Sequence, residues 1–255
     1  MNRFEPLPNM ACEITPELEQ RIKDLSQEGT ALHIGIMPAI YVEVKVFKKD
    51  GTVKTKKKYK ANSLTRNFWN MMVMFLVGKH ETSGTHGEGS LVIKRVSGAN
   101  ESSANSGAVF YGAGYAGDGY PNYFGIRGNN IYANSPGIKI GTSDAAENFG
   151  DYNLGAAISH GTSTGQMSFM SPSTNEATYN AENKTWSKRF SRIFHNTSGA
   201  AIDVKECGIF GSNGTGGDLI LQERTVFPSS ETVDNNELIE ITYTIVFHYP
   251  EPEAS

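Results

Sequence analysis

A chain of 255 residues, 38% of them hydrophobic, can bury a substantial core, which excludes a wholly disordered chain. Its formal charge of −4 lacks the basic excess of a nucleic-acid binder, and its two cysteines, Cys12 and Cys207, lie too far apart to suggest a disulfide framework. The greasiest run, 68–77, is about half a membrane span, and the opening MNRFEP has no secretion-signal core. A soluble protein made in the cytoplasm, or assembling there, is the expectation. The Asn-x-Ser/Thr triplets at Asn100, Asn183, Asn196 and Asn213 are then chance matches in a chain rich in those residues, not glycosylation sites.

Residues 1–13 carry two prolines and little periodicity and read as an extended arm. Thr15 caps and Pro16 opens a short amphipathic helix, with Ile14, Leu18, Ile22 and Leu25 at helical spacing before Gly29. It serves either as a lid on a sheet or as an arm that docks on a neighbouring subunit. At 40–47 Ile40, Val42, Val44 and Val46 alternate with Tyr41, Glu43 and Lys45. The triplet Lys49, Asp50, Gly51 then turns the chain into a return strand at 52–59. Lys54, Lys56, Lys57, Lys58 and Lys60 on that strand read as a solvated, edge-protecting face in preference to a DNA contact.

A helix is predicted over 63–77, capped by Asn62 or Ser63 and stopped by Gly78. Leu64, Phe68, Met71, Met72, Phe75 and Leu76 wrap more than one face of it, so it must be covered by the sheet or by another subunit. From 79 to 136 Gly, Ser, Asn and Tyr dominate, with short strands expected at 91–96, 108–111 and 130–132. Long loops of this kind carry contacts on a rigid scaffold. A compact strand at 137–141 follows, then a polar loop reaching Tyr152 and Leu154.

Three strand-like runs close the chain, at 187–195, 201–210 and 238–247. Trp186, Phe190 and Phe194 share one side of the first. Ile202, Val204 and Phe210 share one side of the second, and Ile239, Ile241, Tyr243, Ile245 and Phe247 one side of the third. This period of two describes an antiparallel sheet with one apolar face.

Motif matches lose to their structural explanations. Gly112, Gly114 and Gly117 fit G-x-G-x-x-G, but Asp118, Gly119, Tyr120 and Pro121 follow where a dinucleotide site needs a helix N-terminus. Gly161, Ser163 and Gly165 fit G-x-S-x-G beside His160, yet a strand at 166–170 follows instead of the helix a nucleophile elbow requires. The six histidines are scattered away from metal-ligand spacing. Asp144, Glu147 and Asp151 share one loop but lack a full calcium-ligand pattern, so a solvated turn is preferred. No catalytic residue, cofactor or metal ligand is assigned.

The order of segments carries a further signal. KANSLTRNF at 60–68, GIKIGTSD at 137–144, DYNL at 151–154, ISHG at 158–161, FHNTSG at 194–199, VKECGIF at 204–210, LQER at 221–224 and ITYTI at 241–245 together resemble virion structural proteins of tailed bacteriophages. The likeness runs over roughly residues 60–247, and the long Gly/Tyr-rich middle and the N-terminal arm depart from it. The resemblance implies a non-enzymatic virion component working as a symmetric oligomer in the tail, collar or connector region; a capsid decoration or a carbohydrate- or receptor-binding module is the alternative.

The expected fold is mainly β: an antiparallel β-sandwich or barrel with one buried amphipathic helix and a short N-terminal helix or arm. The arm would span 1–36, a single β-rich domain 37–249 with the insertion at about 79–136, and an acidic tail 250–255. Partners would be copies of itself and other virion proteins, without a membrane and without nucleic acid. The contact residues expected are Leu18 and Ile22 of the arm, Tyr111, Tyr115, Tyr120 and Tyr123 of the Tyr-rich loop, and Asn196 and Gly199 of the turn.

Overall fold

The computed structural model describes residues 38–61, 64–77, 81, 84–88, 90–100, 137–174, 177–212 and 219–248. In chain order its elements are β1 (Ala39–Phe47), β2 (Val53–Ala61), α1 (Arg66–Val77), β3 (Gly137–Gly141), β4 (Ser168–Phe169), β5 (Ser173–Thr174), β6 (Thr178–Asn180), β7 (Thr185–His195), β8 (Ile202–Ser212), β9 (Leu219–Val233) and β10 (Leu238–His248). The fold is mainly β. Every strand pairing is antiparallel, in two sheets ordered β2-β1-β10-β7 and β3-β8-β9, with β4, β5 and β6 strung along the outer side of β7.

Alternation decides which face of the first sheet is buried. Ile40, Val42, Val44 and Val46 point inward opposite Ile245, Tyr243, Ile241 and Ile239, and Phe190 and Phe194 continue the layer across β7. The outer face takes the charges, with Lys45 2.8 Å from Glu43 and 3.5 Å from Glu240. The second sheet lays Ile138, Ile140, Ile202, Val204, Cys207, Ile209 and Phe227 onto that inner face, which closes a sandwich around one continuous core.

Helix α1 lies against β9 and buries Met71 and Met74 with Ile93 and Ile220. It begins at Arg66, not at 63, because Leu64 and Thr65 are drawn into the edge of β9. Leu64 bridges Glu223, Thr65 N–H donates to Gln222 O at 3.0 Å, and Thr65 Oγ1 donates to Leu221 O at 2.8 Å. Asn67 and Asn70, buried inside the helix, fasten it to the next segment. The Asn67 carboxamide exchanges hydrogen bonds with Lys94 N and O at 2.8 Å each, and Asn70 Nδ2 donates to Val92 O at 2.7 Å.

Two strand expectations are corrected. Phe210 does not share a side with Ile202 and Val204: a bulge between Val204 and Glu206 shifts the alternation, so Cys207 and Ile209 turn inward. Phe210 goes to the other face, with Leu154, Leu219 and Leu221. At 91–96 there is no continuous strand, only isolated bridges at Val92 and Lys94. Trp186 keeps the parity of Phe190 and Phe194 but lies beyond the second sheet's cover and is 39% exposed.

Candidate functional site

The polar groups of the second sheet converge on two joints. On the side facing away from the inter-sheet core, Glu206 is fully buried and its carboxylate accepts Ala156 N–H at 2.8 Å, Gly155 N–H at 3.1 Å and Arg224 Nε–H at 2.8 Å. Arg224 also donates to Asp151 Oδ2 at 2.8 Å and to Ala145 O at 2.9 Å. Glu147 Oε1 accepts Val226 N–H at 2.7 Å, and Asp144 takes the Lys205 ammonium at 2.8 Å, whose hydrogen bond holds the Asp144 carboxyl below its ordinary range.

The loop carrying Asp144, Glu147 and Asp151 is exposed at most positions, as expected from sequence, but it is also fastened to the sheet. Each of its carboxylates straps it to β8 or β9. Glycines permit the close approach: a Cβ at Gly141 would collide with Glu206 and stand 2.7 Å from Ala156 O, and one at Gly208 would stand 2.7 Å from Glu223 O.

The second joint lies between the sheets. Glu223, fully buried on β9, accepts Tyr243 Oη–H from the opposite sheet at 2.5 Å and the hydroxyl of Thr225, and Tyr243 Oη is 3.1 Å from Cys207 Sγ. Burial pushes the Glu223 carboxyl up to about 8, and burial likewise raises the Cys207 thiol and the Tyr243 phenol. At neutral pH the acid is protonated, which lets a carboxyl stand in an apolar core without a counter-ion. Sequence reasoning passed over this cluster. Its signal was a glutamate between the apolar run Leu219, Ile220, Leu221 and the pair Val226, Phe227.

A buried cation closes the same core at its other margin. Arg192, 1% exposed on the inner face of β7, donates to Met170 O at 3.0 Å and, across the sandwich, to Ile138 O at 3.2 Å, with Phe169 and Phe194 rings beside it. Burial lowers its pKa to about 10.

The basic run on β2 is divided between the sheet's two faces. Lys57 turns inward to the buried Glu231 at 2.6 Å, while Lys54 reaches Asp234 at 2.7 Å and Glu237 at 2.8 Å. Lys56 lies 3.4 Å from Glu43, and Lys58 stands over the Tyr41 ring. Part of the run thus ties β2 to β9 and to the β9–β10 turn, in addition to the solvated, edge-protecting face expected.

Of the expected contact residues, Leu18, Ile22, Tyr111, Tyr115, Tyr120 and Tyr123 lie outside the described residues, as do Cys12 and the glycines of 112–117. Asn196 and Gly199 sit together in the tight turn joining β7 to β8. Asn196 is fully buried: its Nδ2 donates to Ala200 O at 2.8 Å and to Val233 O at 2.7 Å, and its Oδ1 accepts Ser198 N–H at 3.1 Å. Its side chain pins this turn to β9, and Gly199, exposed at φ 84°, holds the surface position.

Ser163 sits exposed in a turn, and its N–H donates to Gln166 Oε1 at 3.2 Å. His160 Nδ1 accepts Phe169 N–H at 3.0 Å, so strand β4 follows the motif and the histidine is turned onto it. Among the described residues no cluster of His, Cys, Asp and Glu is placed to hold a metal ion, and no helix is long and apolar enough to cross a membrane. Compared with protein families, with curated proteins and with solved structures, the chain matches none.

Proposed function

We propose that this chain is a non-enzymatic structural component of a tailed-bacteriophage virion, assembled in the host cytoplasm as a symmetric oligomer in the tail, collar or connector region. One observation supports the reading: the segments that carry the sequence resemblance are contact partners of one another. GIKIG of β3 pairs with β8 along VKECGIF, and Thr65 of KANSLTRNF hydrogen-bonds the backbone of LQER on β9. Asp151 of DYNL takes Arg224 of LQER, and Tyr243 of ITYTI meets both Cys207 and Glu223.

Together they build a frame and its two polar joints. A resemblance distributed in this way is what chains sharing a scaffold retain, whereas chains sharing a reaction retain side chains around an open cleft. On such a frame the arm and the Gly/Tyr-rich segment supply the variable contacts, and many weak copies of one contact sum by avidity.

The test is quantitative mass spectrometry of purified particles, counting copies of this chain against the major capsid protein. A low count set by tail or neck symmetry supports the tail or connector position. A count matching the capsid lattice moves the chain to the second reading, a decoration, and absence from the particle sinks the virion assignment.

A further inference from the structure

Where the β6–β7 hairpin meets the ends of β1 and β10, the outer face of the first sheet forms an open groove of about 770 Å³. Charge is absent from its lining, although the rest of that face is built of lysine, glutamate and arginine. In place of charge the groove presents hydroxyls and carboxamides, from Tyr41, Thr178, Asn180, Asn183 and Ser187, beside the small apolar wall of Val246.

The hairpin orients these groups before any ligand arrives. Asn180 Oδ1 accepts the N–H groups of Glu182 at 2.9 Å and Asn183 at 3.3 Å, and Asn183 Oδ1 accepts the Thr185 hydroxyl at 2.6 Å. Both carboxamide oxygens are thus held by the turn, which leaves the NH2 groups as the donors each side chain can offer. The hydroxyls of Thr178 and Ser187 share a hydrogen bond of 2.9 Å, so between them one proton and several lone pairs are available outward. Tyr179, between Thr178 and Asn180, turns its ring to the opposite face of the sheet, onto Trp186 at 5.3 Å between ring centroids, so the groove's side chains come from its neighbours.

We infer that this groove binds a neutral saccharide through the Tyr41, Thr178, Asn180, Asn183 and Ser187 side chains. A ligand dense in hydroxyls, each both donor and acceptor, matches a lining of mixed donors and acceptors. The lining itself carries no lysine or arginine, and Lys58, the cation beside it, stands over the Tyr41 ring. An extended peptide would seek the unpaired backbone of a strand edge, whereas this lining is made of side chains on a sheet face. The inference does not depend on the virion assignment: a particle component and a soluble module would bind through it alike.

The test uses the purified full chain on an array of neutral, sialylated and sulfated glycans. The best neutral ligand is then titrated calorimetrically into wild type, Asn180→Ala, Tyr41→Phe and Lys56→Ala, each checked for an unchanged unfolding midpoint. Saturable binding of a neutral glycan is expected, indifferent to about 0.5 M salt because no ion pair is involved. Asn180→Ala should weaken it about tenfold and Tyr41→Phe several-fold, the cost of one hydrogen bond each, and Lys56→Ala should leave it unchanged. Tyr41→Phe keeps the inference testable if Asn180→Ala disturbs the turn. Failure to retain any neutral glycan, retention of anionic glycans alone with loss at high salt, preferential binding of an uncharged peptide, or equal affinity in wild type and Tyr41→Phe would each overturn it.

Discussion

Glu223 is the residue whose protonation the fold depends on most directly. Its folded pKa of about 8 stands above the ordinary carboxyl value of 4.5, so the folded chain holds a proton that the unfolded chain has released throughout that interval. Stability from this group is therefore complete below about pH 4.5 and is lost as pH rises towards and through 8. Around it stand Tyr243, Cys207 and Thr225, with Glu147 opposing its ionisation and Arg224 favouring it.

Tyr243 Oη and Thr225 Oγ1 both donate to the Glu223 carboxyl, so when the proton leaves, the carboxylate keeps these donors but places a charge in the apolar core. Glu223→Gln keeps the shape and removes the titration. Unfolding free energies measured by denaturant at pH 5 to 9 should show wild type losing stability relative to the glutamine variant, by on the order of 3 kcal/mol. Parallel pH curves would refute the role. Gly208 offers a steric counterpart. Its Cβ would stand 2.7 Å from Glu223 O and 2.9 Å from Leu221 Cδ1, so Gly208→Ala should cost more than about 2 kcal/mol in the same assay.

At the scale of elements, α1 is attached by amides as well as by its apolar face. Asn70→Ala removes the donor to Val92 O and leaves that buried carbonyl unpaired, at a cost of about 1–3 kcal/mol. Amide exchange in α1 and around 91–94 should quicken together; quickening in one without the other would show that the clip does not couple them. Strand β2 carries a sharper contrast. Lys57 neutralises Glu231, which is 2% exposed, while Lys56 is 59% exposed beside Glu43.

Lys57→Met should therefore destabilise by roughly 1–3 kcal/mol, since it strands a buried carboxylate, and Lys56→Met by less than about 1 kcal/mol. Equal effects would mean that the whole run is merely solvated. The alternation of β1, β7 and β10 was legible because one face of each meets the core and the other meets water. The side taken by Phe210 was not, because the register shift between Val204 and Glu206 leaves no mark in composition yet turns Cys207 and Ile209 inward in its place. The late start of α1 was hidden for a similar reason: Leu64 fits the helical spacing, and the edge of β9 outcompetes it with backbone hydrogen bonds.

For the molecule as a whole, the sandwich is held by one apolar core and closed by groups that cross between sheets, Glu223 with Tyr243 on one side and Arg192 with Ile138 O on the other. Removing Arg192 leaves Met170 O and Ile138 O without this donor and opens a space beside Phe169 and Phe194. Arg192→Ala should lower the thermal midpoint far more than Arg189→Ala, since Arg189 is 49% exposed on the outer face. Midpoints that fall equally in a melting experiment would show that the buried guanidinium contributes nothing beyond an exposed one.

Sequence alone determined the class of fold, strands β7, β8 and β10 though not the long β9, and the hairpin at Gly51, because period-two burial and turn chemistry are local and repeat along the chain. It also identified Asn196 to Gly199 as a turn, since short polar side chains and glycine are what such a turn requires. Only the tertiary structure decided which polar residues meet. Glu206 with Asp151 and Arg224, Glu223 with Tyr243 and Cys207, and Tyr41 with the hairpin of Thr178 and Asn180 come from segments far apart in the chain. Their partnership depends on sheet order, on register and on one bulge, which are properties of the packed layers and not of any local run of residues.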